Sequence, residues 1–172
     1  MSLLRDGYTR CVSRDFLRDR KKMDRNKREK GRKEKYQFFQ HTADAKFQAF
    51  GQTLEEAFSH AALAVASLMW DWKKIDDKID IPVSVEGMDL AQLLVNFLEE
   101  LLYLRETRDF LLGSTGQISI QQKNDGWSLS AVFKGDRCAS QYEIYGDVKA
   151  ITYNEISVSD RPPYVIQVVA DI

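Results

Sequence analysis

The chain has 172 residues, which fits one domain plus an extension, and its formal net charge of −1 hides an asymmetry. Residues 1–35 carry 14 Lys and Arg against 6 Asp and Glu, a formal +8, whereas residues 36–172 carry 11 against 20, a formal −9. Cys11 and Cys138 lack any zinc-type spacing, no apolar stretch is long enough to span a bilayer, and Arg and Asp interrupt any secretory-signal core near the N-terminus, so the expectation is a soluble, intracellular, cytoplasmic protein with no membrane partner.

Residues 1–35 read as a basic tail. From Arg18 to Lys35 there are almost no apolar residues, too few to offset the entropy of ordering. Contact with RNA phosphates is one reading of this charge. A solvated extension, or an upstream start codon that the cell does not use, with Met23 as an alternative start, is the other. No internal repeat is visible.

The composition changes at Tyr36, where a domain spanning 36–172 begins. Tyr36-Gln37-Phe38-Phe39 predicts a strand. After His41-Thr42-Ala43-Asp44, the alternation of Ala45, Phe47 and Ala49 with polar residues predicts a second strand, ended by Gly51. Thr53-Leu54-Glu55-Glu56 is a capping box, with Glu56 reaching back. Behind it, Leu54, Phe58, Ala61, Ala62, Val65, Leu68 and Met69 define one apolar helix face. His60 lies off that face and is expected in solvent.

Residues 71–78 read as a charged link. Ile79, Ile81, Val83 and Val85 alternate with polar residues, and Pro82 marks this strand as an edge. Asp89 and Gln92 start a second helix, whose Leu90, Leu94, Phe97, Leu101 and Leu104 stripe is widened by further leucines. A helix this apolar is either deeply buried or half covered by a partner. Glu99-Glu100 reads as its solvated face, because adjacent helical residues point about 100° apart.

Short strands are expected at 110–112 and around Ile118 and Ile120. Asn124-Asp125-Gly126 predicts a hairpin turn into a strand with Trp127, Leu129, Ala131 and Phe133 on one face. A polar loop at 134–147, with a short strand at 142–144, precedes a strand from Val148 to Tyr153 that continues over 155–158. It carries Lys149, Ile151 and Tyr153 on one face. Asp160-Arg161-Pro162-Pro163 turns the chain into a last strand, Tyr164 to Ile172, apolar on both faces and therefore central. The order β-β-α-β-α followed by a run of strands predicts an α+β domain, with two helices packed on a largely antiparallel sheet.

Phosphate loops, nucleophile elbows, zinc-protease motifs and dinucleotide fingerprints are all absent from the sequence. What remains is acidic. Asp171 is penultimate, so its side chain lies close to the terminal carboxylate. If the first and last strands lay close in the sheet, Asp44 would add a third carboxylate. An all-oxygen set of this kind suits Ca²⁺, Mg²⁺ or Mn²⁺. Spacing alone leaves a second reading open, in which Asp44 makes a turn hydrogen bond and Asp171 is merely exposed at a chain end.

Residues 36–172 resemble the archease family. The resemblance rests on His41-Thr42-Ala43-Asp44, Thr53-Leu54-Glu55-Glu56-Ala57, Leu98-Glu99-Glu100-Leu101-Leu102, Val148-Lys149-Ala150-Ile151-Thr152-Tyr153 and the terminal Asp171-Ile172, all in order. It implies a non-enzymatic activator of the RtcB-type RNA ligase of tRNA splicing, promoting guanylylation of the ligase and repeated turnover. It also implies a divalent metal held by Asp44, Asp171 and a main-chain or terminal oxygen of Ile172, with His41 and Lys149 as functional neighbours. Gln40 and Asn154 depart from the acid and the histidine common in the family at those places. Another role associated with the family is a chaperone-like module for a tRNA methyltransferase, for which the apolar second helix would be the contact surface. Direct tRNA binding would fall to residues 1–35.

Overall fold

The structure, a computed structural model, describes residues 34–39 and 44–172. The basic stretch through residue 33, and Gln40 and His41, lie outside the described residues. The elements follow the expected order. They are strands β1 (Tyr36–Phe39) and β2 (Asp44–Gly51), helix α1 (Leu54–Met69), strand β3 (Ile79–Gly87), helix α2 (Leu90–Arg108), and strands β4 (Phe110–Lys123), β5 (Gly126–Arg137), β6 (Ala150–Val158) and β7 (Tyr164–Asp171).

All strand pairs are antiparallel, as the expected α+β class requires, but they form two sheets rather than one. One runs β1-β2-β7-β6 and the other β3-β5-β4. β7 is central, as its two apolar faces predict, and β3 with Pro82 is an edge. Lys35 already belongs to the domain, since its carbonyl accepts from Phe50 N at 3.0 Å.

Four local sequence expectations need correction. β4 is one long strand rather than two, with register shifts at Leu112/Ser114 and Thr115/Ile118 that interrupt its alternation. β6 starts at Ala150, so Lys149 precedes it, and a register break between Thr152 and Ser157 surrounds Glu155, a left-handed residue at φ 52°. His60 is not in solvent. It is half-buried with Nδ1 2.5 Å from the Phe50 carbonyl, and burial pushes its pKa down. The expected charged link also has structure, a 3₁₀ turn (Trp72–Lys74) whose indole lies under the Lys35 and Lys73 ammoniums at 5.2 and 5.6 Å.

The strand-to-helix passage is built twice in the same way. Thr53 Oγ1 accepts from Glu56 N at 3.1 Å, and Asp89 Oδ1 from Gln92 N at 2.8 Å. Glu56 reaches back to Gln52 N at 2.6 Å, and Gln92 to Met88 N at 2.7 Å, in each case one residue before the cap. A Cβ on Gly51 would come within 2.3 Å of Ala57 N, and one on Gly87 within 2.5 Å of Leu93 N. The repeat that the sequence hides is therefore strand–Gly–x–cap–helix. It is obscured because only the glycine, the capping side chain and the amide or acid three residues later must match.

The core lies between the sheets. α1 packs on β2, β7 and β4, and it is buried on more than its predicted face, with Leu63, Ala64 and Ala66 enclosed as fully as Phe58 and Val65. Small residues let sheets approach it from both sides. α2 lies against β3 and β6, one edge strand of each sheet, and buries Leu93, Leu94, Phe97, Leu98, Leu101 and Leu104 there. Its apolar stripe is covered by the protein's own strands. The contact surface expected for a methyltransferase is thus not available on that stripe.

Candidate functional site

β2 and β7 pair in a register that sets Asp44 directly opposite Asp171. Cross-strand partners share a face, with Cβ atoms ~5 Å apart. Ala45, Phe47 and Ala49 on β2, and Ile166, Val168 and Ala170 on β7, fill the other face as core. Two-residue periodicity therefore forces both aspartates onto the outer side. The proximity that the sequence could state only as a condition is met in the fold.

The chain terminus is fixed beside them. Ile172 packs its partly buried side chain against the core, so its carboxylate stays next to Asp171. Lys149 joins from the β6 side. Its amide donates to the Asp171 carbonyl at 2.8 Å. Its ammonium donates to a terminal oxygen of Ile172 at 3.1 Å and lies 3.9 Å from Asp171 Oδ1. Ala150, the next residue, faces Asp171 across the sheet. Asp44, Asp171, Ile172 and Lys149 thus come together, while His41 lies outside the described residues.

Among the described residues, the corner sets the carboxylates of Asp44, Asp171 and the terminus beside the Lys149 ammonium. The Lys149–Asp171 pair is largely exposed, 64% and 49% at the side chains. Exposed pairs contribute little to stability, so its effect is on local charge. Among the described residues, no group of three His, Cys, Asp or Glu side chains is close enough to hold a metal. The oxygens that could hold one are those of Asp44 and Asp171 with the chain terminus as third donor. That set suits a hard cation whose remaining ligands are waters.

A polar ladder continues along the same outer face. Lys46 Nζ meets Glu155 Oε2 at 2.5 Å. Gln167 Nε2 donates to the Glu155 carbonyl at 2.8 Å, and Gln48 Nε2 to Gln167 Oε1 at 3.1 Å. The bulge at Glu155 therefore reaches across β7 to β2 and ties three strands together next to the corner. Asn154, the departure from the family pattern, lies exposed in this bulge.

Sequence reasoning misplaced Glu99. Its Oε1 accepts from Ile151 N at 2.7 Å, so it is a strand-edge contact rather than part of a solvated face. A signal was present: its helical neighbours at i−4 and i+3, Val95 and Leu102, are both apolar and both buried. Three residues earlier, Asn96 Nδ2 donates to the Glu86 carbonyl on β3 at 2.7 Å. One turn of α2 therefore caps unpaired backbone on both sheet edges.

The fold defines a class: α+β proteins of two antiparallel sheets with two helices packed on them, in which β7 pairs with β2. The chain belongs to the archease family. The model of the archease protein family matches residues 36–172. The chain is 36% identical over 140 residues to "Protein archease" of Pyrococcus furiosus, covering 80% of this chain and 98% of the relative. To that of Sulfolobus acidocaldarius it is also 36% identical over 140 residues, covering 80% and 99%. Among solved structures it resembles the solution structure of Methanobacterium thermoautotrophicum protein 1598 at a TM-score of 0.69 and 30% identity, covering 80% of this chain and 99% of that one. Among the described residues, no helix is long and apolar enough to cross a membrane.

Proposed function

We propose that this protein is a non-catalytic activator of an RtcB-type RNA ligase in tRNA splicing, acting through a divalent cation held at the Asp44–Asp171–Ile172 corner. The observation that carries the reading is the register of β2 on β7, which sets Asp44 against Asp171 at the chain terminus in a chain of the archease family. Two aspartates and a terminal carboxylate would hold Ca²⁺, Mg²⁺ or Mn²⁺. The ion would supply positive charge where like charges otherwise repel. Lys149 lies against the oxygens of Asp171 and Ile172 and is a counter-charge there.

The described domain is acidic, and its corner would meet a basic, metal-containing cleft on the ligase. Complementary charge speeds encounter and makes it salt-dependent. Docking would favour the arrangement in which the ligase takes up guanylate. The test is single-turnover guanylylation of the cognate ligase with the parent protein and with Asp44→Ala and Asp171→Ala. The parent should accelerate it and either variant should not, with both variants folding normally, because neither side chain enters the core. Normal stimulation by both variants would remove the corner from the mechanism. No stimulation by the parent, with ligase and metal active, would remove the ligase as partner.

A further inference from the structure

We propose that Glu99 is a positioning residue for the acidic corner: by accepting from the Ile151 amide it fixes the start of β6, and so keeps the Lys149 ammonium on the chain-terminal carboxylate. The inference rests on the corner reading only for its consequence in metal binding. The positioning itself follows from the contacts.

β6 is an edge strand with β7 as its neighbour. Its first paired stretch is short, Ala150 to Thr152, and the register is then lost until Ser157. A three-residue ladder is a weak anchor for an edge, since edge amides exchange readily for water. Glu99 supplies the missing anchor from the other side. Its carboxylate meets the Ile151 amide at 2.7 Å, a charge-assisted bond and stronger than a neutral one. The carboxylate is itself carried by a rigid support, since Val95, Leu98 and Leu102 around it are buried.

Lys149 is two residues upstream of Ile151. Its amide bond to Asp171 O and its ammonium contact with Ile172 both depend on where β6 begins. Ala150 alone separates the Glu99 anchor from the lysine. Releasing Ile151 should therefore free Lys149, and the ammonium would no longer oppose an incoming cation. Asn96 is a built-in control. It makes the matching bond from the same helix turn to the other sheet, at Glu86, away from the corner.

The experiment uses the full chain without metal, as the parent and as Glu99→Ala, Glu99→Gln and Asn96→Ala. Nuclear magnetic resonance follows hydrogen exchange at the Ile151 amide and the Lys149 ammonium. Glu99→Ala should speed both several-fold, whereas Glu99→Gln, which keeps an acceptor oxygen, and Asn96→Ala should leave the ammonium at the parent's rate. Unchanged Lys149 exchange in Glu99→Ala would overturn the proposal.

The second arm is calorimetric titration with Ca²⁺. Lys149→Met should raise affinity at least about five-fold, the weight of a pair of unit charges ~4 Å apart in a water-like dielectric, since the cation carries two. In a Glu99→Ala background that gain should shrink toward none, and with Glu99→Gln it should persist. A general loss of stability would leave the gain unchanged, and that result also overturns the proposal. Absence of Ca²⁺ binding by the parent, with the exchange effect intact, would remove the metal reading and leave the positioning role standing.

Discussion

The two helices start identically and serve differently. Both follow a strand through glycine, one spacer and a capping side chain, with a return bond from the residue three places after the cap. From there α1 is enclosed between sheets, and its alanines make that enclosure possible. α2 instead lies along two strand edges and spends Asn96 and Glu99 on their backbones. A shared local code thus builds both elements. The difference comes from what each helix meets: α1 packs on β2 and β7, which carry the two aspartates, and of the two helices only α2 touches β6, the strand that follows Lys149.

The largest effect should come from breaking the shared glycine. Neither glycine has a positive φ, so alanine is resisted by contact alone. An added Cβ would strike backbone in both cases, 2.3 Å from Ala57 N at Gly51 and 2.5 Å from Leu93 N at Gly87. Backbone cannot step aside as a side-chain tip can. Gly51→Ala and Gly87→Ala should each cost ~3 kcal/mol or more by the usual penalty of overpacking. Urea denaturation measures this. A loss under ~1 kcal/mol at either site would mean that the helix can slide off its strand there, and the two units would no longer be equivalent.

Much of this architecture is legible in the chain, because periodicity and caps are local signals. Thr53, Asp89, the Asn124-Asp125 turn and the strand faces of β2 and β5 all follow from residues within a few positions of one another. Pairing between distant strands is not local. The division into two sheets depends on whether β3 meets β5 or β2, and alternation says nothing of that. β4 read as two pieces because its register shifts fall among Gly113, Ser114, Thr115 and Gly116, where no apolar alternation survives. For the site, Asp171 beside the terminus was visible as a covalent fact. Its register with Asp44 could be stated only as a requirement. Glu99 was missed because side-chain bonds to strand edges leave no periodic mark, whereas Lys149 entered through the family motif.

Removing the caps should have a smaller effect and sharpen the same comparison. Thr53→Ala and Asp89→Ala should each cost ~1 kcal/mol. Asp89 carries charge at a helix N-terminus, so its loss should exceed that of Thr53 by a few tenths of a kcal/mol, about the weight of a charge–dipole contact. The caps sit on separate helices and share no partner, so the double variant should show the sum of the two losses. Thermal unfolding of the three variants checks both points. Strong non-additivity would mean that the two units fold as one device rather than as two copies.

The smallest effect asks by pH how far the loop between β5 and β6 is coupled to α1, whose last turn it meets through Tyr145 N and the Met69 carbonyl at 2.9 Å. Asp136, near the end of β5, is held at about 2, well below its ordinary 3.8, by hydrogen bonds from Lys78 first, then Tyr142, then the Arg137 amide. Tyr142 donates to it at 2.7 Å and is buried in the loop that leads toward β6. A lowered carboxyl pKa means that the folded state binds its proton less readily than the unfolded chain does. The contribution is therefore complete above the ordinary 3.8 and is lost as pH falls toward about 2. Through that window the loop between β5 and β6 should lose amide protection while α1, whose enclosure is apolar, keeps it. Hydrogen exchange read residue by residue would check the order. Asp136→Asn should flatten the pH dependence of the loop, because an amide cannot titrate. If α1 loosened in step with the loop, the two environments would be coupled, and acid would be acting on the whole core instead of on one carboxylate.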